Sequence, residues 1–254
     1  VLHEQLTPDP DAVDSALNAY FQIGARDVRT DALLELLVQV MDKAMFQQLR
    51  TTEQLGYVVS AGTQNKWGVC GLRCLVQSVH PPAFLETRME AFLDEFAATL
   101  REMSAEDFAE HVQSLRTKKL EKDRSVDKLA DRLMGEICSH EYVFDRKERE
   151  AEALAALVQS DLVAFFDRHV SPASATRCKL SCHVVGKQAT EAARAQGQEP
   201  DVVPESVHKL LVFPKGADPF PRVKEGQEPP ALPAPEESSV EAFRKVAETY
   251  EVQK

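Results

Sequence analysis

Apolar residues recur with two different periods along the first 187 residues. Strand-like patterns cover residues 13–23, 55–63, 69–78 and 177–185, and the last of these alternates cleanly. Helical spacing covers residues 31–49, 82–103, 104–121, 126–139 and 160–169. The resulting order is β-α-β-β, four helices, then β. It predicts an α+β domain with an antiparallel-rich mixed sheet that helices cover on one face.

The first helix is apolar on nearly every side. Thr30 or Asp31 can cap its N-terminus, because both side chains accept hydrogen bonds from free backbone N–H groups. We therefore expect this helix to be buried on more than one side. The apolar residues that lie off its main stripe are Leu34, Leu36, Val38 and Phe46.

Helix boundaries follow from punctuating residues. Pro81 and Pro82 open the second helix, since proline suits the first helical turn. Ser104 and Asp107 form a capping box at the start of the third. Ser171-Pro172 ends the last one, because the residue before a proline avoids helical angles.

Proline separates the chain into two parts. Of the 14 prolines, the nine from Pro200 onward lie in the last quarter of the chain. We therefore predict a compact domain over residues 1–187 and a proline-rich tail over 188–254. Ser238 and Glu241 form a capping box within this tail, which predicts a short terminal helix.

Composition excludes several functions. The 254 residues include 30 basic and 41 acidic ones, a net charge of −11, which argues against binding to nucleic acid or to an anionic membrane. No apolar run approaches the roughly 18–20 residues that span a bilayer, and no signal peptide is visible. The chain begins with Val1, so we expect a fragment or a processed product. Five cysteines favour a reducing, cytoplasmic location.

A protease-type zinc site is not predicted in this chain. The helical motifs H-E-x-x-H and H-x-x-E-H need two histidines four residues apart, and no two of the seven histidines have that spacing. His140-Glu141 begins such a motif, but Phe144 stands where the second histidine is needed.

The cysteines leave one further metal hypothesis. Cys70 and Cys74 share one face of a strand, as do Cys178 and Cys182, so a four-cysteine zinc site is conceivable. Buried strand thiols are the favoured interpretation. His183 points away from Cys182 and is interpreted as structural.

Motifs of other catalytic classes are absent. The chain has no G-x-S-x-G, G-x-x-x-x-G-K-[ST] or G-x-G-x-x-G string. Acidic residues interrupt its one basic run, so a solvated helix face is favoured over an anion site. The run comprises Arg116, Lys118, Lys119, Lys122 and Arg124.

The string R-T-T-E-Q-L-G-Y, residues 50–57, is the most informative stretch. Arg50 ends a buried helix, where a cation suits the helix dipole. Tyr57 starts a strand beside Gly56, which permits another backbone to approach closely. From the pattern alone the favoured interpretation is structural: Arg50 caps the helix, and Tyr57 packs.

A resemblance that extends over longer stretches of the sequence changes that interpretation. LRTTEQLGYVVSAG, GLRCLVQSVHPPAFLETRMEAFL, SALNAYFQIG, the FDR at 144–146 and KLSCHVV resemble the C-terminal portion of insulysin-like zinc metallopeptidases. These enzymes form the pitrilysin, or inverzincin, family. The resemblance runs from about Val13 to Val185, and the tail matches poorly.

The resemblance implies a pitrilysin-type peptidase domain over residues 1–187. Family members have four homologous α+β domains in two halves around a chamber, and this chain resembles the fourth. The motif H-x-x-E-H lies in the first, so zinc is expected in the N-terminal half of the polypeptide. The arginine and tyrosine of R-x6-Y reach that site, which assigns substrate-carbonyl binding and transition-state stabilisation to Arg50 and Tyr57. Implied partners are peptide substrates and the N-terminal half, and a homodimer is allowed.

Two alternatives stay open. The parent polypeptide can be an inert homologue that serves as a scaffold or a peptide-binding subunit. A free-standing adaptor requires a chain that is stable and monodisperse alone. We expect instead an exposed apolar patch on the surface that meets the preceding domain.

Overall fold

A five-stranded sheet in the order β1-β5-β2-β4-β3 forms the framework of the domain. The computed structural model describes residues 1–7, 9, 11–189 and 191. The strands are β1 (Leu2–Leu6), β2 (Ser15–Ala25), β3 (Val58–Lys66), β4 (Val69–Ser78) and β5 (Cys178–Val185). The helices are α1 (Val28–Met45), α2 (Pro82–Glu102), α3 (Ala105–Lys119), α4 (Val126–Cys138), α5 (Arg146–Ala155) and α6 (Gln159–His169). A π-helical segment, Phe46–Thr52, follows α1.

The pairing within the sheet confirms the predicted fold class. β2 runs antiparallel to both β4 and β5, and β3 forms an antiparallel hairpin with β4. Among the described strands, only β1 pairs in parallel, with β5. Helices cover one face of this mixed sheet, and a single apolar core lies between the two layers. The domain is therefore α+β with a mixed, mainly antiparallel sheet.

Two elements were not predicted, and one cap was placed wrongly. β1 and α5 have no counterpart in the predicted order, which had four helices after the hairpin. The cap of α1 is Asp27, whose Oδ1 accepts from the N–H groups of Arg29 and Thr30 at 2.9 and 3.0 Å. Asp31 instead lies buried in an ion pair with Arg26.

The polar side of β5 is the side that faces the helices. His183 is buried there, and its Nε2 lies 2.8 Å from Oε2 of Glu86 on α2. Its Nδ1 lies 3.2 Å from Glu4 of β1, so the structural interpretation of His183 is confirmed. Burying this side is feasible because the polar groups satisfy one another.

The two cysteine pairs lie on opposite faces of the sheet. Cys74 is paired with Ala19 on the helix side, whereas Cys182 is paired with Asn18 on the other side. Cys70 and Cys74 are buried as predicted, and burial raises the pKa of each thiol to about 12. Cys178 and Cys182 are only half-buried, so the interpretation as buried thiols is wrong for them. A four-cysteine site is geometrically impossible.

The basic run does not lie wholly on a solvated face. Lys118, Lys122 and Arg124 are exposed as expected. Lys119 is not, because its Nζ lies between the carboxylates of Glu35, at 2.6 Å, and the buried Glu150. The ion pairs of Lys119 therefore link α3 to α1 and α5.

The predicted tail and its terminal helix lie outside the described residues, apart from residues 188, 189 and 191. Within the described part, no helix has both the length and the apolar character needed to cross a membrane.

Candidate functional site

The candidate site lies where α1 passes into β3. α1 continues into the π segment, Phe46–Thr52, which carries Arg50 in its last turn. The chain then passes through Glu53–Gly56 and reaches Tyr57 one residue before β3 begins. π-helical turns are rare in proteins and frequently occur at functional sites.

Backbone hydrogen bonds hold the wide turn in place. The N–H of Glu53 donates to the carbonyl of Gln48 at 2.9 Å, and the N–H of Leu55 donates to that of Leu49 at 2.9 Å. Leu49 is fully buried and anchors the turn in the core. Gln54 takes a positive φ of 54°, which reverses the chain after the helix.

Gly56 lets the returning chain lie directly against β4. A Cβ at this position would lie 1.9 Å from the carbonyl oxygen of Gln77. The hydroxyl of Ser78, on the same strand, donates to the carbonyl of Leu55. The close backbone approach predicted for Gly56 is therefore confirmed.

Glu53 links the turn that follows the π segment to α2 through hydrogen bonds. Nε and Nη2 of Arg88 donate to the two oxygens of Glu53 at 2.7 and 2.9 Å. These hydrogen bonds lower the pKa of Glu53. Nε2 of Gln48 donates to both Glu53, at 3.3 Å, and Glu95, at 2.8 Å. The carboxylate of the motif therefore orients the turn that carries Arg50.

Arg50 lies between two aromatic rings. Its Cζ is 4.5 Å from the ring centroid of Tyr57 and 4.6 Å from that of Phe46. Tyr57 is 80% exposed, so the structural interpretation that the pattern alone favoured, in which Tyr57 packs, is wrong. No hydrogen bond joins Arg50 to a carbonyl among the described residues, so it is not a hydrogen-bonding cap. The structure brings together the two residues that the sequence singled out.

Phe46 is the site residue that sequence analysis missed. It was expected to be buried with the rest of the helix, but it is 41% exposed and stacks on Arg50. Its position four residues before an arginine was the available signal, since side chains at that helical spacing are neighbours. Phe46 was missed because its neighbours in the sequence are apolar, which predicts burial.

The pair carries donors that nothing in the described part of the chain engages. Within those residues, Arg50 and Tyr57 make no hydrogen bond or ion pair, and the guanidinium of Arg50 stacks on the rings of Tyr57 and Phe46. A guanidinium has five N–H donors in a fixed fork, and a phenol adds an O–H. Such a group can donate to peptide carbonyls or to an oxygen that gains negative charge.

The described residues do not fit a zinc ion. They contain no cluster of three or more His, Cys, Asp or Glu side chains arranged to hold a metal.

Comparison with known proteins gives one consistent grouping. Residues 36–134 match the family model described as "PQQ synthase PqqF-like, C-terminal lobe domain 4", and this range includes Arg50 and Tyr57. Insulin-degrading enzyme of Mus musculus is 31% identical over 220 residues, covering 82% of this chain and 22% of that protein. The peroxisomal insulin-degrading enzyme-like 1 of Arabidopsis thaliana is 36% identical over 181 residues, covering 71% of this chain and 19% of that protein.

A solved structure gives the same result. The crystal structure of pitrilysin is 27% identical, superimposes with a TM-score of 0.65, and is matched over 75% of this chain and 20% of its own. The chain thus spans about a fifth of the length of the proteins that it matches.

Proposed function

Since this chain belongs to the pitrilysin family, which includes insulin-degrading enzyme, we propose that it is the C-terminal portion of a zinc metalloendopeptidase. The whole enzyme degrades peptides in an enclosed chamber. This portion binds the peptide and stabilises the transition state, and the segment alone is inactive. The observation that carries the proposal is the stacked Arg50–Tyr57 pair with its unengaged donors.

The chemistry of peptide hydrolysis gives both side chains a task. Attack of water on a scissile carbonyl places negative charge on its oxygen, and the Tyr57 hydroxyl can donate to that charge. The Arg50 guanidinium can hold neighbouring substrate carbonyls with two parallel donors. Stacking between Phe46 and Tyr57 restricts the guanidinium before substrate arrives, so less freedom is lost on binding.

The zinc is assigned to the N-terminal half of the same polypeptide, because the resemblance implies that the motif H-x-x-E-H lies in the first domain of family members. Zinc bound there would polarise the carbonyl and activate water. Arg50 and Tyr57 then act across the interface between the halves. The cytoplasmic location and the homodimer stay predictions.

Substitution in the intact polypeptide tests the assigned roles. We expect Arg50→Ala and Tyr57→Phe each to lower kcat/KM for a fluorogenic peptide by about 10²–10³, the usual loss for one transition-state donor. Tyr57→Phe keeps the ring on Arg50 and removes only the hydroxyl. Arg124→Ala and Trp67→Leu are matched controls, since both side chains are highly exposed and lie outside the site.

The outcomes separate the alternatives. Undiminished cleavage by both variants would refute the assigned roles. An intact polypeptide that binds peptide without cleaving it, with binding weakened by Arg50→Ala, would identify the inert peptide-binding homologue instead.

A further inference from the structure

The face of the sheet that the helices leave open carries a cation without an acidic partner. Arg73 lies on β4 between Leu72 and Cys74, which are fully buried on the helix side, so its side chain belongs to the other face. Arg73 is half-buried, and no ion pair joins it to a carboxylate of the described residues. A partly buried charge without a partner is unfavourable for folding, which indicates that Arg73 meets a carboxylate from elsewhere.

The strands around Arg73 contain no acidic residue. β2, β3, β4 and β5 include neither Asp nor Glu, whereas the whole chain has 41 of them. These strands place one other cation on the open face, Lys66, at the tip of the β3–β4 hairpin. The negative charge of the chain therefore lies elsewhere, and this face attracts anions.

Neighbouring side chains orient Arg73 and add donors to it. Nε of Arg73 donates to Oδ1 of Asn18 on β2 at 3.0 Å. Both Nη groups of Arg73 and the amide N–H groups of Asn18 then have no hydrogen-bonding partner in the described part of the chain. Tyr20 stands directly opposite Arg73 in the pairing of β2 with β4. Its hydroxyl makes no hydrogen bond within the described residues, and burial raises the pKa of Tyr20, so the hydroxyl stays a neutral donor.

Two glycines shape the space beside these donors. Gly62 stands opposite Arg73 on β3, and a Cβ there would have no atom within 4 Å, so this side is open. Gly71 lets the Tyr20 ring lie against β4, since a Cβ there would be 2.5 Å from the hydroxyl oxygen. The hydroxyl of Tyr20 is therefore held against β4, two residues from Arg73.

A carboxylate is the group that complements this set of donors. The end of a guanidinium presents two parallel N–H donors to the two oxygens of a carboxylate, and the amide and the phenol add further donors. We propose that Arg73, with Asn18 and Tyr20, binds a carboxylate of the peptide substrate and makes the enzyme prefer peptides that carry one at this place. The inference rests on the proposed function as a peptidase. Two sources share this chemistry, an acidic side chain and the C-terminus of the peptide.

The spacing along β3 predicts where the carboxylate lies in the peptide. Tyr57 comes five residues before Gly62. Because a strand rises about 3.3 Å per residue, about 16 Å separates Tyr57 from the position opposite Arg73. An extended peptide covers this distance in about five residues. The preferred carboxylate is therefore expected about five residues from the scissile bond.

Matched peptide substrates test the proposal in the intact polypeptide. One set carries Glu or Gln at the fourth, fifth or sixth residue on either side of a cleavage site that mass spectrometry has located, and every member ends in an amide. A second pair carries Gln at these positions, stops five residues after the cleavage site, and ends in a free carboxylate or an amide. The quantities measured are kcat and KM for each member, with the wild type, Arg73→Gln and Tyr20→Phe. Lys66→Gln removes a positive charge from the same face and is the matched control.

We expect the wild type to prefer the carboxylate member of at least one pair by about tenfold or more in kcat/KM, mainly through KM, since hydrogen bonds to a charged group are strong. Arg73→Gln should reduce this ratio to about one, Tyr20→Phe should reduce it less, and Lys66→Gln should keep it. A preference within the first set identifies an acidic side chain, and one within the second pair identifies the C-terminus. Far-UV circular dichroism checks that each variant folds, and Tyr20→Phe keeps the test open should Arg73→Gln not fold.

Equal cleavage of both members of every pair by the wild type would overturn the proposal. A preference that survives Arg73→Gln, or that Lys66→Gln abolishes as well, would also overturn it. Failure of the proposed function has a different signature, because the intact polypeptide would then cleave none of the peptides. The same pairs would in that case be compared by fluorescence anisotropy, where binding that favours the carboxylate and depends on Arg73 supports the site and equal binding refutes it.

Discussion

Gly56 shows how strictly a single residue of the candidate site is determined. Its place is set by contact, because a Cβ there would meet the backbone of β4 at Gln77 and, at 3.2 Å, the Cβ of Ser78. The backbone of a strand cannot move away without breaking its hydrogen bonds. A Cβ at Gly62, on β3, would have no atom within 4 Å.

Gly56→Ala should therefore destabilise the domain, whereas Gly62→Ala should not. We expect the first to lower the free energy of unfolding by about 1–3 kcal/mol, the usual cost of overpacking, as measured by urea denaturation. The second serves as the control. Equal midpoints for both variants would show that the segment before β3 can shift freely.

The residues of the site were predictable to different degrees. Arg50 and Tyr57 were predicted from a specific string. They are seven residues apart in sequence, and the π segment and the close approach at Gly56 bring their side chains together. Phe46 was missed, since an aromatic residue in an apolar helix predicts burial. The widened turn that exposes it is stabilised by tertiary contacts of Glu53 and Gln48 with α2, which periodicity does not report.

At the scale of elements, one buried carboxylate joins the start of α1 to the chain around α5. Oδ2 of Asp31, 1% exposed, lies 2.8 Å from Arg26 and 3.2 Å from Arg146. Arg146 also pairs with Glu136 of α4 at 2.6 Å, and these carboxylates raise its pKa further above the ordinary value. Removing Asp31 would deprive both guanidinium groups of the most deeply buried of their carboxylate partners.

Asp31→Asn is accordingly expected to lower the free energy of unfolding by about 3–5 kcal/mol, the usual loss when one partner of a buried ion pair is removed. Asp145→Asn is the matched control, because the Asp145–Arg149 pair is more than half exposed on both sides. It should leave the denaturation midpoint nearly unchanged. A small loss for Asp31→Asn would mean that Glu141 compensates.

Elements with a clear apolar period were predicted well, and those that depend on polar partners were missed. The buried side of α5 consists of Glu150, Ala151 and Leu154, only one of them large and apolar. Burial raises the pKa of Glu150, and Lys119 of α3 opposes that effect by pairing with it. β1 leaves Leu2 and Leu6 exposed and is held by backbone pairing with β5. Neither arrangement produces an apolar period in the sequence.

At the scale of the whole molecule, the sequence predicted that helices cover one face of the sheet. It did not predict which side of β5 belongs to that face. The apolar side of that strand is half-buried at Cys178, Cys182 and Val184 and exposed at Leu180, and the polar side faces the helices. The reason is the carboxylate of Glu86, which meets His183 at 2.8 Å and Ser181 at 2.5 Å. Such long-range pairing depends on the packed helix and cannot be derived from the strand alone.

The response of the fold to acid is set in part by His169, the last residue of α6. Burial, together with the nearby Arg168, lowers its pKa to about 4, and its ring lies 5.0 Å from that of Phe165. A helix C-terminus favours a charged histidine, so burial outweighs the helix dipole here. The neutral form is favoured in the folded state, and an unfolded histidine has a pKa of about 6.5.

The sign of the effect follows by linkage. The unfolded chain binds a proton near pH 6.5 and the folded chain only near pH 4, so stability from this group is complete above pH 6.5 and is lost as the pH falls towards 4. His169→Leu removes this titration, so the variant should lose less stability than the wild type between pH 7 and 4. Urea denaturation at each pH measures the difference, with His80→Leu at an exposed histidine as the control. Carboxylates titrate alike in all three proteins, so parallel curves for His169→Leu and the wild type would show that folding does not lower the pKa of His169.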